Sequence, residues 1–431
     1  MNSVPLSLVA TLAFAVVLVA GLLVQVWLTS RQIRHVARNR HAVPAAFAQT
    51  VSLAAHQKAA DYTLAKARLG LLEIALGTAV LLGWTLLGGL DVLNRVLLTI
   101  TGDAYPLGQQ LALVAAFTLI GSLFDLPFEI YRSFVLEARF GFNKMTPKLW
   151  LADLLKTTAL AAVIGLPLIA LVLWVMAATG TTWWLWVWGV FVGFNLLALV
   201  LYPTVIAPLF NKFQPLEDES LKSRVTSLMQ RCGFAAKGLF VMDGSKRSAH
   251  ANAYFTGFGA AKRVVFYDTL LAKLSPGEVD AVLAHELGHF KYKHVVKRIV
   301  SLFAISFASL ALLGWLSTQA WFFTGLGVTP NVGLASTVPQ HALTLLLFML
   351  VVPTFSFFIS PLFARLSRKH EFEADAYAVA QTSGRDLSTA LLKLYEDNAA
   401  TLTPDPVFVS FYYSHPPASE RLARMAQGAA A

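Results

Sequence analysis

His285-Glu286-Leu287-Gly288-His289 sets two imidazoles four residues apart with a carboxylate between them. On a helix, residues i and i+4 share a face one turn apart. Both rings can then reach one Zn2+, and Glu286 stands beside the position a water would take. That is the chemistry of a zinc hydrolase with one ion per chain. A catalytic zinc takes three protein ligands plus water, so a third must come from elsewhere. Glu371-Phe-Glu-Ala-Asp375 suits the task best. Glu371 and Asp375 lie one helical turn apart, so Glu371 can bind metal while Asp375 hydrogen-bonds a ligating imidazole. Glu373 points to another side of that helix. His294, five residues past His289, is rotated off the zinc face and reads as a surface residue. His415, in Ser414-His-Pro-Pro417, is open to two roles on spacing alone, ligand or catalytic donor. Cys232 is the only cysteine, which excludes a disulfide framework and a thiolate zinc site.

The surrounding sequence supplies the elements these residues need. Ser275-Pro276-Gly277-Glu278 reads as an N-cap, a proline at the first helical position and a capping-box glutamate. Val279, Val282, Leu283 and Leu287 then repeat at helical spacing. Upstream, Glu217 to Cys232 is helix-like and Gly238–Met242 is a short β-like run. Ala253–Phe258 and Arg263–Tyr267 flank Gly259–Lys262, the pattern of a hairpin.

The chain holds 431 residues, of which 56% are hydrophobic and 13% charged, where an ordinary soluble domain carries about 25% charge. The deficit is concentrated. Pro5 to Ser30, Thr157 to Asn211, Ile299 to His341 and Ala342 to Ala364 carry no charge at all. A membrane helix needs about 20 apolar residues, so the Thr157–Asn211 run accommodates two, broken near Thr179-Gly180-Thr181. Segments around Gly70–Leu90 and Leu111–Tyr131 complete seven spans. The fold class is therefore an all-α polytopic membrane protein with a small hairpin or sheet beside the zinc helix. Residues 1–210 carry five spans, 211–298 the zinc module, 299–364 two more spans and 365–431 a C-terminal catalytic segment.

The net charge of +10 is topological. Seven Lys/Arg oppose one Asp in Arg31–Arg68, and four oppose Glu137 in Arg132–Lys148, while the alternate connections carry almost nothing. By the positive-inside rule the N-terminus lies outside, and both large polar segments and the C-terminus face the cytosol. No aromatic–basic interleaving points to nucleic acid. The first apolar stretch lacks a basic leader and is too long for a signal-peptide core, so it reads as a retained span.

With these motifs in order, the chain resembles the CAAX prenyl protease type 1 family, membrane-embedded gluzincins. The resemblance is carried by Asn252-Ala-Tyr-Phe-Thr-Gly257, His285-Glu-Leu-Gly-His289, Glu371-Phe-Glu-Ala-Asp375, and Ser414-His-Pro-Pro417 followed by Glu420-Arg421-Leu422. Glu137-Ala-Arg-Phe-Gly-Phe-Asn-Lys144 is also similar to a family loop. The resemblance implies that His285, His289 and Glu371 hold zinc and Glu286 is the base. It further implies that His415 stabilises the oxyanion, that Asp375 and Arg421 support the site, and that substrate lies on the strand of Asn252, Ala253, Tyr254 and Phe255. It also implies an α-barrel of seven tilted helices around a water-filled chamber. The expected substrate is a peptide or protein, lipidated or otherwise membrane-associated, and membrane lipid surrounds the barrel. Short inside loops and no dilysine-type signal in Ala429-Ala-Ala431 resemble a bacterial homologue, in the cytoplasmic membrane.

Three other readings compete. An intramembrane site-2-type protease buries its motif in a hydrophobic span, whereas Glu278, Asp280, Lys291, Lys293 and Lys297 flank this one. A heat-shock-type quality-control protease has about four spans, fewer than hydropathy counts here. A transporter or inactive scaffold with structural zinc has no use for Glu286.

Overall fold

The structure, a computed structural model, describes residues 4–234, 238–256 and 263–428. Gly257, Phe258 and the Gly259–Lys262 turn lie outside the described residues, as does the side chain of Phe255. Seven helical segments are long and apolar enough to cross a bilayer: Leu6–Asn39, Leu53–Trp84, Pro106–Glu137, Pro147–Ala178, Gly180–Phe210, His294–Leu316 and His341–Gln381. The count matches the expectation, but the helices are longer than their apolar runs. The 34-residue first helix extends about 51 Å at 1.5 Å per residue, against about 30 Å of hydrocarbon. Hydropathy therefore located only the part inside the bilayer. The second helix starts at Leu53, capped by Ser52 Oγ, which accepts from Ala55 N at 3.1 Å. Its charged first half, with Lys58, Asp61 and Lys66, continues the same helix beyond the apolar part.

One end of the barrel is solid. Phe14, Leu18, Trp84, Leu90, Leu113, Leu173, Leu313, Phe323 and Leu347 interlock there. The other end is hollow. A cavity of about 1470 Å³ runs between the first two helices and the soluble domain. Gln25, Thr29 and Gln32 face it from the first helix and Lys66 and Glu73 from the second. Gly70 and Gly77 lie on the same wall, with open space where a Cβ would stand.

The soluble domain caps the hollow end. Its sheet has the order β1-β2-β4-β3, from β1 (Phe213–Pro215), β2 (Gly238–Met242), β3 (Ala253–Thr256) and β4 (Arg263–Tyr267). The expected hairpin is present, β3 antiparallel to β4 with Tyr254 opposite Val265. β2 runs parallel to β4, and β1 adds an edge strand that the sequence reading passed over. Three residues ending in Pro215 carry little strand signal. Val225 and Leu228 of the Glu219–Arg231 helix pack with Phe266, Leu283, Leu287, Leu387 and Met425 beneath the sheet.

Both basic connections meet this domain. Arg31 forms a two-bond pair with Asp405 at 3.0 and 3.3 Å. Phe142 accepts from Ala249 N at 3.1 Å. Arg247 of the domain reaches back to Asp153 at 2.8 and 3.1 Å. The Lys/Arg-rich loops and the HExxH helix thus share one end of the barrel.

Candidate active site

The HExxH helix runs Pro276–Lys291 and begins as its sequence dictates. Ser275 caps it, with Glu278 returning the bond in a full capping box. Lys393 pairs with Glu278 at 2.8 Å and ties this start to the helix Gly384–Asp397. The second element is the distal part of the seventh span, Ser360–Gln381, which carries Glu371 and Asp375. The two helices touch at Gly288. A Cβ there would meet Ala374 Cα at 2.9 Å and Ala374 O at 3.1 Å, so only glycine lets the backbones come this close.

That approach brings the predicted residues together. His285 Nε2 lies 3.3 Å from His289 Nε2. Glu371 places Oε2 3.4 Å from His285 Nε2 and Oε1 3.4 Å from His289 Nε2. Ligand atoms about 2.0–2.1 Å from a tetrahedral zinc are separated by about 3.3 Å, so each of these spacings matches an edge of such a polyhedron. Glu371 is 5% exposed, yet its Oε2 has no hydrogen-bond partner among the described residues. An ionised carboxylate buried in this way needs a cation. The donor set fits a zinc ion.

Asp375 stands behind the metal face. Its Oδ1 is 2.9 Å from His285 Nδ1. Arg421, 7% exposed, grips the same carboxylate with Nε at 2.8 Å and Nη2 at 2.5 Å. Asp375 and Arg421 thus orient His285 from its Nδ1 side. Burial opposes charge on His285, but the nearby carboxylates of Asp375 and then Glu371 outweigh it and hold its pKa up at about 9. On His289, burial and the neighbouring His285 charge act together and push the pKa down to about 4. A metal held by His285 would displace its proton, since only neutral imidazole ligates. Burial also raises the pKa of Glu286, although the His285 charge pulls against it. A carboxylate held above its ordinary pKa is a stronger base.

On the cavity side, His415 Nε2 comes within 3.4 Å of Glu371 Oε1, and Ser414 Oγ lies 2.9 Å from His415 Nδ1. Arg368 holds this loop by donating to the carbonyls of Val409 and Tyr413 at 2.9 and 2.8 Å. Asn252 lines the cavity just ahead of β3, and its carbonyl accepts from Tyr267 N at 3.0 Å. Ala253 and Tyr254 follow on the sheet edge, which packs against the HExxH helix. Asn398 Oδ1 accepts from Ala251 N at 3.2 Å and meets His250 Nδ1 at 3.0 Å, anchoring the approach to that strand.

One residue corrects the sequence reading. His294 is 3% exposed, not on the surface, and its Nδ1 lies 3.0 Å from His289 Nδ1. The HExxH helix stops at Lys291, and Lys293 turns the chain with φ at +57°, so straight-helix geometry does not apply. Glu373 faces that ring, 2.8 Å from His294 Nε2. Gly288, Arg368 and Asn398 were also missed. Of these only Gly288 left a trace in the sequence, a glycine inside a helix that pays about 1 kcal/mol in propensity for being there.

Similarity to known proteins extends over nearly the whole chain. Residues 32–212 match a family described as CAAX prenyl protease N-terminal, five membrane helices. Residues 215–428 match peptidase family M48. CAAX prenyl protease 1 of Saccharomyces cerevisiae is 36% identical, covering 77% of this chain and 75% of its own. The CAAX prenyl protease 1 homologue of Homo sapiens is 31% identical over 95% of this chain and 94% of its own. The crystal structure of S. mikatae Ste24p superposes with a TM-score of 0.89 at 30% identity, covering 98% of this chain and all of that one.

Proposed function

The chain belongs to peptidase family M48, among the CAAX prenyl protease 1 homologues, and from that premise we propose that His285, His289 and Glu371 hold one zinc ion with Glu286 as general base. It is an integral membrane metalloprotease. The observation that carries the assignment is the convergence of one donor atom each from His285, His289 and Glu371 within 4.8 Å of one another, on a buried carboxylate whose Oε2 makes no hydrogen bond among the described residues.

Zinc bound there supplies a Lewis acid that polarises the scissile carbonyl and brings the pKa of water toward about 7. The chain's own residues do the rest. Glu286 takes a proton from the attacking water and returns it to the nitrogen of the leaving amine as the C–N bond breaks. Such acid–base work is worth about a hundred- to ten-thousand-fold. His415, on the cavity side of Glu371, donates to the oxygen that gains negative charge. Asp375 and Arg421 keep the His285 ring oriented with its Nδ1–H directed away from the metal face. The substrate peptide extends along β3 past Asn252, Ala253, Tyr254 and Phe255, where main-chain pairing grips it with little demand on side chains.

The cavity supports a substrate that enters from within the membrane barrel, hence a membrane-associated peptide or protein. The shared placement of the Lys/Arg-rich loops and the HExxH helix supports a cytosolic site with the N-terminus outside. Stripping the purified protein with a chelator should abolish peptide cleavage, and stoichiometric zinc should restore it. Cleavage that persists in metal-free protein refutes the assignment. In a Cys232→Ser background, an impermeant thiol reagent outside intact cells should label a cysteine at Gly180 and spare one at Gln427. The reverse pattern overturns the topology.

A further inference from the structure

His285 has a carboxylate directly behind it, whereas His289 has another imidazole in that place. His289 turns Nε2 toward His285 Nε2 and Glu371 Oε1 and leaves Nδ1 facing His294 Nδ1 at 3.0 Å. His294 Nε2 in turn faces Glu373 Oε2 at 2.8 Å. We propose that His294 and Glu373 are positioning residues, a relay that fixes the ring and tautomer of His289 as Asp375 fixes those of His285. The proposal rests on the metal-ligand reading given above.

A single proton arrangement satisfies every atom. An imidazole that ligates through Nε2 carries its proton on Nδ1. His289 therefore donates to the lone pair on His294 Nδ1. His294 then holds its own proton on Nε2 and donates it to the Glu373 carboxylate. The line ends on an anion that needs no further donor, and Lys369 Nζ lies 3.8 Å from its other oxygen.

The backbone is shaped to make this contact. On a continuous helix five residues turn about 500°, which would carry His294 about 140° from His289. Lys293 breaks the helix instead, in a left-handed conformation that a side chain other than glycine adopts only when its surroundings impose it. The next residue, His294, is both the first of the sixth span and the partner of His289. His370 stacks on its ring with centroids 4.0 Å apart and planes 13° apart, and Tyr292 lies parallel at 5.8 Å. The ring is buried and held in place.

His294, His370 and Glu373 also bring donor atoms within 4.8 Å of one another, so a second cation is the competing use of the same residues. The hydrogen bonds favour the relay. A neutral imidazole has one acceptor nitrogen, and on His294 that nitrogen already faces His289. Ligation through Nε2 would require the ring to give up its last proton.

Metal affinity and the visible spectrum of Co2+-substituted full-length protein test this directly, without reference to activity. His294→Phe should weaken metal binding about ten- to a hundred-fold, as loss of such partners does, and shift the Co2+ bands. His294→Asn, whose Oδ1 can accept from His289 Nδ1, should recover most of the loss. Glu373→Ala should weaken binding in the same direction, and it decides alone if His294→Phe does not fold. Unchanged affinity and spectrum in either folded variant overturn the relay. Two tightly bound ions in the wild type, one of them lost in His294→Phe, replace it with a second metal site. Full metal retention in His289→Ala refutes the ligand reading itself, and the relay falls with it.

Discussion

At the solid end of the barrel, the described residues Asn94, Gln109 and Asn331 bury neutral amides, whereas the catalytic end buries Glu371, Asp375 and Arg421, all ionisable. The amides hydrogen-bond mainly to one another. Asn94 donates to Asn331 Oδ1 at 2.8 Å, Gln109 to Asn94 Oδ1 at 3.0 Å, and Asn331 to the Val338 carbonyl at 3.0 Å. Only Gln109 Oε1 in this group is left without a partner, and a neutral acceptor in that state costs about 1–3 kcal/mol. At the catalytic end Asp375 accepts two bonds from Arg421, but Glu371 Oε2, 3.4 Å from His285 Nε2, makes no hydrogen bond among the described residues. An ion buried alone costs several kcal/mol. The first network pairs nearly all its amide atoms with other neutral groups and holds helices together. The second is complete only with a cation.

If that contrast is right, mutations at the two ends must fail differently. Glu371→Ala should have the largest effect, removing the bound metal and taking peptide cleavage to background, as read by metal analysis and turnover on the same sample. Arg421→Leu should come next. It strands the buried Asp375 carboxylate, a change worth about 3–5 kcal/mol, and should weaken metal affinity about ten- to a hundred-fold through His285. Gly288→Ala puts a Cβ 2.9 Å from the Ala374 backbone. The helices must part by a few tenths of an ångström, and metal affinity should fall about ten-fold even though alanine is the better helix former by about 1 kcal/mol. Asn94→Leu should change the chemistry least. It leaves Gln109 Nε2 and Asn331 Oδ1 unpaired and should lower stability by about 1–3 kcal/mol for each, while turnover per folded molecule and zinc content stay at wild-type values. A loss of zinc in Asn94→Leu would erase the distinction between the ends.

The sequence made the catalytic helix and the seven spans legible because each rests on local signals. Ser275 and Glu278 mark a helix start within four residues, and charge-free runs mark spans without any knowledge of packing. The ExxxD segment was legible from one helical turn, and the structure sets Glu371 and Asp375 beside the histidines that this spacing pointed to. Composition does not show the chamber, although Gln25 and Thr29 in the first apolar run and Gln32 just past it repeat at helical spacing. A polar stripe in one helix shows that it faces water or a partner, but not that a cavity lies between two helices. His294 was misplaced for a different reason. Its position depends on one dihedral at Lys293, and no side-chain pattern announces a left-handed lysine. Glu373 does point to another side of its helix, but its partner there is legible only once His294 is in place.

Glu286 carries the central claim, because it is the one residue in the motif that the chemistry needs and the metal does not. Purified full-length protein and its Glu286→Gln variant should be compared for zinc content and for cleavage of a quenched fluorescent peptide. The account predicts one zinc per chain in both and at least a hundred-fold loss of turnover in the variant. Near-normal turnover in zinc-loaded Glu286→Gln, with contaminating protease excluded, would contradict it.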